Sequence, residues 1–78
     1  MLDSLVVGKV IQSYRESKKM SQELVSGLAG IGRTHLSAVE RGERKPTLET
    51  FFKICIAMRV RPSVLMARIE EEVQIDQF

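Results

Sequence analysis

Apolar residues recur three and four positions apart along most of the chain, the spacing that lines one face of an α-helix. The alternation expected of a half-buried strand is absent. Caps and breakers cut the pattern into five short helices, so the predicted fold class is all-α. The first helix runs from about Ser4 to Lys18, with Leu5, Val7, Val10, Ile11 and Tyr14 as its stripe. Lys18 and Lys19 suit its C-terminal end, where the helix dipole favours cations. The second begins at the N-cap Ser21, with Met20 and Val25 placed to form a hydrophobic staple. It ends near Ala29, where Gly30 supplies a left-handed turn. The third spans about Arg33 to Arg41, with Gly32 at its N-cap, Leu36 and Val39 pointing inward, and Gly42 closing it. Thr47 caps a fourth, whose apolar set is Leu48, Phe51, Phe52, Ile54, Cys55 and Met58. Pro62, favoured at a first helical position, opens a fifth with Val64, Leu65, Met66, Ile69 and Val73. Residues 74–78 show no pattern.

A chain of 78 residues is read as one domain over 1–78. Below roughly 70–80 residues a single core supplies only about 3–5 kcal/mol, so such a chain must pack efficiently or pair with another copy. Net charge is +2, but its distribution is uneven. Residues 1–68 hold all 12 Lys and Arg and six of the ten acids, a balance of +6; residues 69–78 hold Glu70, Glu71, Glu72 and Asp76, a balance of −4. A basic body with an acidic end fits a polyanion-binding face, and equally a solvated surface with an acidic tail.

The lone Cys55 excludes an internal disulfide and a zinc-finger spacing, and a reduced, cytoplasmic setting fits. No apolar run approaches the roughly 18 residues of a membrane span, and the N-terminus does not read as a signal peptide. One His and one Cys give no nucleophile–base–acid set. Gly30-Ile31-Gly32 lacks the strand that a dinucleotide fingerprint needs. The reading is therefore no enzyme, no cofactor and no metal.

The informative stretch is residues 22–42, with the motif itself over about 22–41. Two short helices meet at a tight turn containing Gly30, the pattern of a DNA-binding helix-turn-helix. The helices cross closely, so a small residue, Ser26, stands at the crossing. Val25, Ile31, Leu36 and Val39 fix the angle of the second motif helix. Its N-terminal outer face is left free to enter a major groove.

Ser21-Gln22-Glu23, Gly30-Ile31-Gly32-Arg33-Thr34 and the run from Val39 through Lys45-Pro46-Thr47-Leu48 resemble the phage repressor and Cro-like, or Xre-like, family over about residues 7–66. Arg33-Thr34-His35-Leu36-Ser37 followed by Glu40-Arg41-Gly42-Glu43-Arg44 is most similar to the controller proteins of restriction–modification systems. The resemblance implies a lambda-repressor-like five-helix fold and a transcriptional regulator that binds double-stranded DNA. By the same resemblance Arg33, Thr34 and Ser37 face base edges. Arg33 is the main specificity candidate, because a guanidinium can bind guanine O6 and N7 together. His35 is either a further DNA contact or an ordinary surface histidine. Gln22, Arg41, Arg44 and Lys45 are expected on phosphates. Arg15 and Glu40 are assigned to a partly buried ion pair joining the first helix to the recognition helix.

One module reads only a few base pairs, so useful specificity calls for two half-sites and a homodimer. The expected interface is the fifth helix and tail, 62–78, through Val64, Leu65, Ile69, Val73 and Phe78. Glu70-Glu71-Glu72 reads as a solvated helix end in preference to a patch for RNA polymerase. Cys55 reads as a small core residue, and Met58 and Met66 as core or interface fillers. Two departures from the family pattern stand out. Ser26 occupies a place more often held by Ala and must direct its hydroxyl to a carbonyl or to water. Arg59 stands where the turn after the fourth helix usually has Gly; if left-handed it costs on the order of 1 kcal/mol relative to Gly. The competing function is a protein-interaction module such as an antitoxin.

Overall fold

The computed structural model describes residues 2–73. Among them the chain forms α1 (Ser4–Ser17), α2 (Gln22–Ala29), α3 (Arg33–Glu40), α4 (Leu48–Ala57) and α5 (Pro62–Glu72). Helix α1 lies against α3 and α5, α2 against α3 and α4, and α4 against α5. The core gathers one stripe from each helix: Val7, Val10 and Ile11; Val25 and Ala29; Leu36 and Val39; Phe51, Ile54, Cys55 and Met58; Leu65 and Ile69. Met20, Ile31 and Val73 pack against its edge.

The helix starts follow local chemistry. Helix α1 begins at Ser4, as the sequence predicts, and Asp3 caps it by accepting from the Leu5 amide at 2.9 Å. Ser21 caps α2 through the Leu24 amide, and Thr47 caps α4 through the Thr50 amide, each at 3.0 Å. Pro62 stands in the first turn of α5. Gly32 offers α3 no side-chain cap, so the first amides of that helix are left without an acceptor from a capping side chain.

The first four helix ends share one geometry. At α1, Lys19 N–H donates to Glu16 and Met20 N–H to the Arg15 carbonyl; the same paired bonds recur at Gly30 and Ile31, at Gly42 and Glu43, and at Arg59 and Val60. This double bond requires a left-handed residue at the turn. Gly30 (φ 72°) and Gly42 (φ 78°) fill it at the two ends of the motif, whereas Lys19 (φ 57°) and Arg59 (φ 58°) adopt it despite their side chains. Arg59 is thus left-handed, and the turn before α5 keeps the same pair of hydrogen bonds as the glycine turns.

Several apolar residues expected in helix stripes face outward instead. Leu5 is 64% exposed, and on α4 Leu48 and Phe52 are 70% and 49% exposed, joined by Ile56 at 65%. These three recur at four-residue spacing and so share one face of the helix.

Candidate nucleic-acid interface

The site is built from the inside out. Ser26 lies buried at the crossing, and its hydroxyl donates to the Glu23 carbonyl within its own helix (3.2 Å), so the polar substitution leaves no buried atom unsatisfied. Val25, Leu36 and Val39 are fully buried and hold α3 against α2 and the rest of the body. The seam between α1 and α3 carries a buried ion pair. Arg15 Nε donates to Glu40 Oε2 at 2.7 Å and its Nη2 to Oε1 at 3.0 Å, a two-pronged bond. The third nitrogen, Nη1, donates to the Met20 carbonyl at 2.8 Å. The hydrogen bonds it donates to Glu40, reinforced by that residue's charge, raise the Arg15 pKa against the lowering effect of burial.

Gln22, expected on a phosphate, also has a partner within the protein. Its amide nitrogen donates to Glu40 Oε1 at 2.8 Å. A nitrogen so committed serves first to complete the Arg15–Glu40 network, which thereby ties α1, the start of α2 and the end of α3 together. The sequence signal for this was a glutamine at the start of α2 in a motif whose far end carries Glu40. Their spatial meeting depends on the tight turn at Gly30.

Outside this clamp, α3 presents Arg33 and Thr34 exposed at its N-terminal end, with His35 and Ser37 half-buried. Arg33 and Ser37 are one turn apart on one face. Beyond α3, Arg41, Arg44 and Lys45 are exposed along the connecting segment. Arg41 is not a free cation: its Nε and Nη2 donate to Glu43 at 3.1 and 3.0 Å, and its Nη1 donates to Ser37 Oγ. The pairing raises the Arg41 pKa and lowers that of Glu43, the side-chain hydrogen bond being the main cause in each. One expected phosphate contact and one expected base contact are thus linked, with an acid holding the guanidinium in place. The sequence names Glu43 within the motif but not its pairing with Arg41, which depends on the turn at Gly42. Arg33, Arg44 and Lys45 make no ion pair among the described residues. Arg33 thus stands at the uncapped N-terminus of α3, the end where the helix dipole favours anions, and Arg44 and Lys45 follow its C-terminal end.

The expected dimer surface needs correction. Leu65 and Ile69 are buried in the core, 0% and 1% exposed, because they are the inward stripe of α5 against α1 and α4. They cannot offer surface to a partner. Val73 is half-buried against the core, Val64 is exposed, and Phe78 lies outside the described residues. No helix among the described residues is long and apolar enough to cross a membrane.

Comparison with known proteins agrees with this architecture. A helix-turn-helix transcriptional regulator of Mycobacterium tuberculosis is 38% identical over 61 residues, 78% of this chain, and the chain spans only 44% of that regulator's length. The restriction–modification controller protein C.AhdI from Aeromonas hydrophila superposes with a TM-score of 0.78 at 31% identity, over 83% of this chain and 98% of the controller. A second controller, C.Esp1396I, solved as a tetramer in complex with its natural 35 base-pair operator, superposes with a TM-score of 0.84 at 26% identity, over 92% and 95% of the two chains. The pattern that defines the helix-turn-helix family matches residues 11–65, and the chain belongs to the Xre-like helix-turn-helix family.

Proposed function

We propose that the chain is a sequence-specific regulator of transcription that binds double-stranded DNA as a homodimer, with α3 in the major groove of each half-site. The observation that carries this reading is the outer face of α3. Arg33 and Thr34 stand outward, with half-buried Ser37 one turn on from Arg33, on a helix whose inner face and C-terminal end are fixed by the core and by the Arg15–Glu40–Gln22 network. A rigidly held helix with a free polar face is what base reading requires. Arg44, Lys45 and the Arg41–Glu43 pair flank it where phosphates of the same groove would pass. The likeness to two controllers of restriction–modification systems supports a controller role, and the operator-bound tetramer of one of them supports assembly on DNA.

The dimer surface that the exposed residues favour is the outward stripe of α4, Leu48, Phe52 and Ile56, continued by Val64 and Met66 on α5. Leu48 and Met66 line one apolar hollow together with Leu2, Phe51 and Pro46, which joins the two helices into one surface. Two half-sites about one helical turn apart then follow from two-fold symmetry. A second reading, a protein-interaction module, draws on Leu24 and Leu28, exposed one turn apart on α2.

Selection of binding sites from random duplex DNA tests the proposal. The expected product is a two-fold symmetric site whose affinity falls steeply with salt, since each phosphate contact releases counterions. Recovery of no sequence, with weak binding, would favour the interaction module.

A further inference from the structure

Two glycines lie at the junction of α1 and the end of α3, Gly8 against Val39 and Glu40, and Gly42 against Leu5. Gly8 lies buried within α1, where glycine is disfavoured relative to alanine. A methyl group there would stand 2.6 Å from the Glu40 carbonyl oxygen, 2.9 Å from its carbonyl carbon, and closer still to the Val39 oxygen. All three are backbone atoms, so no side-chain rotation could relieve the overlap. From the other side, a methyl on Gly42 would stand 2.6 Å from Leu5 Cδ2 and 2.9 Å from Leu5 Cα. The backbones of α1 and of the end of α3 are thus in contact over residues 5–8 and 39–42. Arg15, seven residues and two turns beyond Gly8 on the same face of α1, grips Glu40 at the same junction.

We infer that Gly8 and Gly42 form a backbone seam that sets the tilt of α3, making Gly8 a positioning residue for base recognition although it faces the protein interior. The inference rests on the reading of α3 as the helix that enters the major groove. Helix α3 has eight residues and is about 12 Å long. A displacement of about 1 Å at its C-terminal end, pivoting on its N-terminal end, tilts it by about 5° and re-aims the long Arg33 side chain, moving a tip roughly 6 Å from the pivot by about 0.5 Å. Binding groups must be held to within about 0.5 Å to keep their geometry, and a two-pronged arginine–guanine bond is correspondingly sensitive. Phosphate contacts from the flexible Arg44 and Lys45 side chains tolerate such a shift.

Gly27 supplies the internal control. It too lies within a helix, but an added methyl would meet no heavy atom within 4 Å. Gly27→Ala should therefore raise the melting temperature and leave DNA binding as it was. The test compares wild type, Gly27→Ala, and Gly8→Ala placed in the stabilised Gly27→Ala background. For each, affinity is measured for the selected operator and for random duplex DNA, alongside cooperative thermal unfolding. The expected result is a folded double variant whose operator affinity drops at least tenfold while its affinity for random duplex stays within about twofold. Wild-type operator preference in the folded double variant would overturn the seam's role. Equal losses on both DNAs, or failure to fold even in the presence of operator, would overturn it too by showing the seam to be structural only. A wild-type chain with no sequence preference would instead overturn the base-reading function on which the seam depends.

Discussion

Arg15 and Glu40 show how a costly pair of residues can define a structure. Both side chains are almost wholly removed from water, and each hydrogen-bonding nitrogen of the guanidinium has a partner: Glu40 twice and the Met20 carbonyl once. Removing one member leaves the other charge buried and alone, which costs about 3–5 kcal/mol. Arg15→Ala should therefore lower stability by about that amount, measured by urea unfolding. Arg15→Met with Glu40→Leu should be less destabilised than either single change, because no charge is left unpaired. Cys55 illustrates a different consequence of burial. Desolvation pushes its thiol up to about 12, from an ordinary value of 9.0. The folded state thus keeps a proton that the unfolded state releases above pH 9, so unfolding is favoured as pH rises from about 9 to 12. The expected outcome is a falling melting temperature over that window, and Cys55→Ser or Cys55→Ala should remove this component. The pairing of Arg15 with Glu40 and the core place of Cys55 follow from residue type and position in a recognisable motif. The bonds from Gln22 to Glu40 and from Arg41 to Glu43 were not legible, since each depends on how a turn folds back, and the sequence names only the turn.

At the scale of the element, helix starts and stops were legible because caps are local: Ser21, Thr47, Pro62, Gly30 and Gly42 each act within a few residues of themselves. Which apolar residues face inward was less so. A stripe on a short helix spans wide angles, and Leu48, Phe52 and Ile56 satisfy helical spacing as well as the buried Phe51, Ile54 and Cys55 do. Only the position of the neighbouring helices decides between the two faces. On α5 the same ambiguity hid the fact that Leu65 and Ile69 are committed to the core. The left-handed cationic residues at the ends of α1 and α4 carry a prediction of their own. Arg59→Gly keeps the turn bonds and relieves the strained side chain, so it should stabilise the fold by about 1 kcal/mol. Lys19→Gly should act similarly, and differential scanning calorimetry would register both as raised melting temperatures.

Across the whole molecule, the residues divide into a core that fixes α3, a polar outer face on α3, and an apolar face on α4 and α5. Such a body, with few residues and several large apolar side chains exposed, gains by pairing. Phe52→Glu puts a charge on the centre of the α4 stripe without touching the core. It should yield a folded monomer by analytical ultracentrifugation, with weakened operator affinity; a wild-type chain that is already monomeric at tens of micromolar would contradict the dimer. The polar face of α3 begins at Arg33, and the cationic segment from Arg41 to Lys45 follows the other end of the same helix.

The central claim is that α3 reads bases while the segment beyond it holds the backbone. The most direct test measures Arg33→Ala and Lys45→Ala on a panel of operators carrying every single-base change. The account predicts that Arg33→Ala relaxes specificity at one base pair of each half-site, with a loss of about 1–3 kcal/mol there. Lys45→Ala should weaken all sequences alike and lower the salt slope by about one counterion per protomer. Uniform weakening by both variants, with no base pair singled out by Arg33, would contradict it.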